Sequence, residues 1–184
     1  MSADVSVRVA WSEDAAAIAS LQVDAWRERF PADLPLPSPE EVAAVWSATL
    51  TRPTDARNRV LVALERNRVT GFALCGPAGD PDCDPIADGE VSEFTVAAAD
   101  RGAGHGSRLL QAVVDTLVAD RFTRAVTWCT STDDALRGFL TAAGWATDGA
   151  HRSLASEDGA DGADGADHDG AEHLKQVRLH TAIA

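Results

Sequence analysis

"DRGAGHGSRLL", residues 100–110, sets Gly102, Gly104 and Gly106 within five residues and then runs directly into an apolar helical pattern. Glycine inside regular structure costs about 0.5–1 kcal/mol relative to alanine, so bare backbone at this point must serve a purpose. Upstream, "EVSEFTV" (90–96) reads as a strand. Downstream, Leu109, Leu110, Val113, Val114, Leu117 and Val118 recur on one face of a helix predicted over 107–120. A Gly-rich turn between that strand and that helix presents a row of backbone N–H groups at a helix N-terminus. Such a row binds phosphate through direct hydrogen bonds and the helix dipole. Two better-known phosphate loops do not fit. A Walker loop needs GK[ST] where this chain has Gly106-Ser107-Arg108, and the dinucleotide fingerprint starting at Gly102 meets Ser107 in place of its third glycine. The alternative reading is a tight strand-to-helix turn with no ligand.

The 184 residues are enough for one domain with a real core, since 45% are hydrophobic. The N-terminal "MSADVSVRVA" has no apolar signal region and no run reaches membrane-spanning length, so a cytoplasmic protein is expected. Cys75, Cys83 and Cys129 show no CxxC spacing, which argues against a disulfide framework or a zinc site and for a reducing compartment. A net charge of −13 works against nucleic acid and anionic membranes as partners and is compatible with a cationic one. Seven acids fall in "EDGADGADGADHDGAE" (157–172), a Gly-Ala-Asp tract read as a solvated loop. Its composition resembles a calcium loop, but it matches neither the EF-hand nor the Gly-rich nonapeptide pattern.

"VSVRVA" alternates as a half-buried strand. Ser12 opens a helix to about Glu28 with Ile18, Leu21 and Ala25 along one face. Ser38, Pro39 and Glu41 form a cap, a first-turn proline and a capping-box acid for a helix to about Leu50. "RVLVALE" (59–65) and "VTGFALCG" (69–76) form a hairpin around "RNR", and a loop covers 77–89. "AVTWC" (125–129) is a strand. Ser131 or Thr132, with Asp133 and Asp134, opens a helix lined by Leu136, Phe139, Leu140 and Ala143 and ended by Gly144. "AHRSLAS" and "LKQVRLHTAI" are strands on either side of the acidic tract. The order βααβββαβαββ is mixed α/β with a largely antiparallel sheet of about seven strands and four helices, and 90–129 forms a βαβ crossover.

Arg101-Gly102-Ala103-Gly104-His105-Gly106 after the strand, together with "TWCTSTDDALRGFLTAAGW", resembles the GNAT superfamily of acyl-CoA-dependent N-acyltransferases. The predicted element order is also that family's order, so the resemblance covers nearly the whole chain as a single domain. It implies the GNAT fold and acetyl transfer from acetyl-CoA, as co-substrate, to a primary amine in a ternary complex, without a metal. It implies that backbone groups of Phe94, Thr95 and Val96 pair with the pantetheine arm. Arg101, Gly102, Ala103, Gly104, His105, Gly106 and Ser107 would hold the pyrophosphate, and Asp133 would lie near the pantetheine. Val96 N–H would stabilise the oxyanion. A homodimer is a family expectation.

An acceptor amine must lose a proton before it attacks, and a carboxylate serves as base. Glu93 is the candidate, with Glu90 behind it; the alternative is that both are solvated strand residues. The family's tyrosine, a general acid four residues before the Gly-aromatic pair, is replaced by Leu140, and the chain has no tyrosine. Cys129, Ser131 and Thr132 are nearby in sequence. His105 sits in the phosphate loop, while His151, His168, His173 and His180 form no nucleophile pairing. Trp26 and Phe30 would wall the acceptor site or pack in the core. Other classes considered are a non-catalytic acyl-CoA-binding module and a nucleotide-binding regulatory domain.

Overall fold

The computed structural model describes residues 5–154 and 174–183. The elements are β1 (Val5–Val9), α1 (Ala15–Arg29), α2 (Pro39–Thr51), β2 (Arg59–Glu65), β3 (Arg68–Pro77) and β4 (Asp88–Val96), then α3 (His105–Ala119), β5 (Arg124–Thr130), α4 (Asp134–Ala142), β6 (Ala146–Leu154) and β7 (Leu174–Ala182). The fold is mixed α/β, with four helices and a seven-stranded sheet ordered β1-β2-β3-β4-β5-β7-β6. The acidic tract 157–172 lies outside the described residues. No helix among the described residues is long and apolar enough to cross a membrane. The chain divides into two compact units, Met1–Ala125 with Ile183–Ala184, and Val126–Ala182.

In the first unit β1, β2, β3 and β4 pair antiparallel in that order. Strand alternation splits the side chains of β2 between two layers. Val60, Val62 and Leu64 join Ile18, Val23, Val42, Trp46 and Phe72 in the core under α1 and α2. Leu61 and Ala63 are buried on the other face, where α3 contributes Leu109, Leu110, Val113 and Leu117. Helix α2 starts as its sequence foretells: Ser38 Oγ accepts from Glu41 N–H at 3.2 Å, and Glu41 accepts from Ser38 N–H at 2.8 Å. Helix α1 departs from expectation. Ser12 lies in a short 3-10 turn, and Asp14 takes the N-terminal role, accepting from Trp11 N–H at 2.7 Å and from the Arg8 guanidinium at 2.6 and 3.1 Å.

Two register breaks shape this sheet. Ala63 faces Gly71 but Leu64 faces Val69, which leaves Thr70 as an extra residue on β3. Leu74 faces Glu93 but Cys75 faces Val91, which leaves Ser92 extra on β4. Each such bulge reverses the alternation downstream of it. Gly71 sits where β3 and β4 close tightly, and a Cβ there would stand 2.7 Å from Thr95 O.

In the second unit β6 and β7 form an antiparallel ladder. Strand β6 starts at Ala146, four residues before the expected start at 150, because Thr147-Asp148-Gly149 reads as a turn in the sequence. The pairing passes from Thr147–Leu179 to His151–Val177, so 148–150 bulge inside the strand, with Gly149 at φ +86°. The bulge wraps a buried ion pair in which Arg178 Nε donates to Asp148 Oδ2 at 2.7 Å. Helix α4 is capped by Asp133, which accepts from Leu136 N–H at 3.0 Å, and Gly144 at φ +90° follows its end.

Replacing Gly71 with alanine forces its Cβ against a backbone oxygen that belongs to the ladder and cannot swing away. Gly71→Ala is therefore expected to lower the unfolding free energy by about 1–3 kcal/mol, read from a urea midpoint at unchanged m-value.

Candidate active site

Gly102 and Gly104 both adopt left-handed backbone, φ +78° and +88°, and Gly104 is the N-cap of α3. A Cβ on Gly102 would meet nothing within 4 Å, so the bend opens onto free space. The helix begins at His105, two residues earlier than expected, and the N–H groups of its first turn lack intrahelical acceptors. The Arg108 guanidinium stands 3.6 Å from where a Gly104 Cβ would be. Bare amides, a helix N-terminus and an exposed guanidinium gather hydrogen-bond donors and positive charge, the chemistry that suits a pyrophosphate. In the sequence Arg108 stands out only as the residue that breaks the Walker pattern.

The loop is held from below by charge. Arg68 on β3 donates to both oxygens of Asp100 at 2.8 Å and reaches Glu65 at 3.2 Å. Its guanidinium holds the Asp100 carboxyl below the usual carboxylate range, against the opposing effect of burial. His105 is 1% exposed, with Nδ1 3.2 Å from the hydroxyl of bulge residue Thr70 and Nε2 4.0 Å from Glu65. Its imidazole therefore faces the core, so of the two readings, packing or a phosphate contact, the side chain packs, and only its backbone amide belongs to the loop. Glu65, Asp100 and His105 have ligand atoms within 4.8 Å of one another, and Arg68 already supplies the cation among them. Arg101 also differs from expectation. Its Nε donates to Val96 O at 3.2 Å and its NH2 to Glu28 at 2.8 Å, so the side chain ties the loop to β4 and α1.

Strand β4 presents the loop's other neighbour. Ala97 N–H donates to Thr70 O at 2.8 Å. Counting back along the antiparallel ladder, the backbone groups of Thr95 and Glu93 bond to β3, and those of Phe94 and Val96 point away from it. The expected backbone role of Thr95 toward a pantetheine is therefore corrected: the β3 ladder uses it. Val96 N–H faces outward.

Glu93 lies on the α1/α2 face because Ser92 reverses the alternation. Burial pushes its carboxyl up to about 6, opposed by the charge of Arg29 and a hydrogen bond from Gln22. Gln22 is itself buried and accepts from Trp46 Nε1 at 2.7 Å. Glu90 shares this face but accepts from Gly79 N–H at 3.1 Å, which gives it a role in holding the loop before β4. Gln22, Trp46 and Arg29 were not foreseen. The available signal was a carboxamide four residues after Ile18, on the apolar side of α1.

A phosphate-type loop at a helix N-terminus, beside a strand with outward amides and a half-buried carboxylate, agrees with the family comparison: residues 17–145 match the model of the acetyltransferase (GNAT) family. The chain belongs to the GNAT acetyltransferase family. No curated protein matches this acetyltransferase by sequence. Its fold is that of an N-acetyltransferase from Staphylococcus aureus Mu50, with TM-score 0.70, 18% identity, and 98% and 99% of the two chains covered. It is also that of yncA from Salmonella typhimurium, solved with its cofactor acetyl-CoA, with TM-score 0.68, 18% identity, and 98% and 94% covered. A GCN5-related N-acetyltransferase from Kribbella flavida is 20% identical, with TM-score 0.67 and 97% of each chain covered.

In the second unit of this GNAT protein, the Asp133 carboxylate is engaged as the α4 cap. Leu140 is 3% exposed, and its carbonyl accepts from Trp145 N–H at 3.0 Å. Cys129 is buried. In the first unit Trp26 packs against the core under α1 and α2, and Phe30, just past the helix, is half-buried.

Gly104→Val sets a branched side chain at φ +88° on the loop, and Asp100→Asn removes the charge that Arg68 grips. Each is expected to weaken acetyl-CoA binding by roughly tenfold or more, measured by calorimetry on the folded variants. Unchanged affinity for both would remove the phosphate reading of this loop.

Proposed function

We propose that this acetyltransferase moves the acetyl group of acetyl-CoA directly to a primary amine in a ternary complex, with Glu93 as general base. The observation that carries the reading is the half-buried Glu93 carboxylate, raised to about 6, on the strand that also turns Val96 N–H outward. A base in that range is ionised at neutral pH yet still accepts a proton readily.

The residues present fit the co-substrate. Backbone amides from Gly102 to Ser107 bind the pyrophosphate, with Arg108 adding charge. The β4 backbone at Val96, turned away from β3, lies along the pantetheine. Val96 N–H donates to the thioester carbonyl oxygen as negative charge develops there, a preorganised donor worth several kcal/mol in a dry site. Glu93 takes the ammonium proton of the acceptor, directly or through one water. The departing thiolate has a reference pKa near 8.5 and leaves without a tyrosine acid. The acceptor carries a cationic amine, which the net charge of −13 attracts. A second reading, an acyl-CoA-binding module without turnover, draws on Leu140 in the tyrosine position.

Thiol release over a panel of amines separates the two. The enzyme reading expects release, with kcat/KM falling as pH drops through about 6, because protonated Glu93 cannot accept a proton. Glu93→Gln is expected to lower kcat by roughly 10²–10⁴-fold with acetyl-CoA affinity unchanged. Tight acetyl-CoA binding with no release from any amine would favour the module.

A further inference from the structure

Val96 turns its backbone groups away from β3, but its carbonyl oxygen already has a donor. Arg101 Nε bonds it at 3.2 Å. The same guanidinium is held at its other end, where Nη2 donates to Glu28 at 2.8 Å in the last turn of α1. Two contacts on different nitrogens fix its plane across the edge of β4. Both side chains are about half exposed, 54% and 45%, so this clasp lies at the surface and costs little to open. Nearby cations are committed elsewhere: Arg68 to Asp100 and Glu65, and Arg27 to Asp24.

An acyl-CoA meets the clasp twice. Its pantetheine N–H groups need outward carbonyls on β4, and Val96 O is one. Its pyrophosphate belongs to the loop from Gly102 to Ser107, and Arg101 is the residue just before Gly102. A pyrophosphate draws a guanidinium more strongly than one carboxylate does, because it offers more charge and more acceptor oxygens. A thioester on a bare pantetheine arm has the N–H groups but nothing to draw the guanidinium away.

We propose that Arg101 is a specificity-determining latch: clasped on Val96 O and Glu28, it bars the β4 edge to phosphate-free pantetheine thioesters, and the pyrophosphate of an acyl-CoA releases it. The proposal rests on the pantetheine lying along β4 at Val96. On release the guanidinium turns to the phosphate oxygens, and a pantetheine N–H takes its place on Val96 O.

The test compares binding of acetyl-CoA and of S-acetylpantetheine, which carries no phosphate, to the whole protein, with the Val96 amide followed by nitrogen-15 NMR. Arg101→Met keeps the apolar stem but has no donor. It should bind S-acetylpantetheine about threefold to tenfold more tightly than the parent, the scale of one hydrogen bond. It should bind acetyl-CoA no more tightly, since the pyrophosphate loses a cation. Glu28→Gln loosens one end of the clasp and should tighten S-acetylpantetheine by about twofold to fivefold, the scale of an exposed ion pair. The probe is uncharged, so Asp24→Asn, which removes the same charge one turn earlier in α1, should leave its affinity unchanged. S-Acetylpantetheine bound no better by Arg101→Met, while the Val96 amide still responds to it, overturns the latch. Asp24→Asn tightening the probe as much as Glu28→Gln does the same. A Val96 amide that responds to neither ligand overturns the placing of the pantetheine, and the latch with it. If Arg101→Met does not fold, Glu28→Gln decides alone.

Discussion

In an unbroken strand, Glu90 and Glu93 leave the sheet on opposite faces, and Val91 shares a face with Glu93. The extra residue Ser92 in β4 reverses that order, and much of the site depends on the reversal. Val91 stays with Cys75 on the α3 side, while Glu93 and Thr95 turn with Leu74 and Phe72 toward α1 and α2. Without the bulge, Glu93 would enter the apolar layer under α3. With it, the carboxylate turns to the α1/α2 side, where Gln22 is buried and bonded to Trp46.

The bulge at Thr70 is its counterpart on β3. It keeps Val69 in the α1/α2 core and turns the Thr70 hydroxyl to His105. One misregister therefore aims the carboxylate, and the other anchors the first residue of the helix behind the loop. Arg68 completes the anchor by gripping Asp100 at the loop's start. The left-handed glycines are then presented by a rigid base. That matters because a flexible loop would have to lose conformational entropy on each binding event.

Much of this was legible in the residues. Gly102 and Gly104 announced a bare-backbone turn into a helix, and both take positive φ there. Ser38, Pro39 and Glu41 announced a capped helix and form one. Side-chain roles within the loop were less legible. Arg101 and His105 belong to the motif by spacing, but one bonds Val96 O and Glu28 and the other packs on Thr70. Spacing locates a backbone and says nothing about which way a side chain leaves it.

The linear chain by itself determined the element order, the bare-backbone turn and the family. These follow from local causes: periodicity, capping chemistry and glycine's freedom at positive φ. Only the tertiary structure decided the direction of Glu93, the loss of Thr95's backbone to β3, the inward turn of His105 and the Trp46–Gln22 contact. Each depends on register between strands or on residues as far apart as Gln22 and Trp46. A one-residue slip in pairing changes the face a side chain occupies without changing any local pattern.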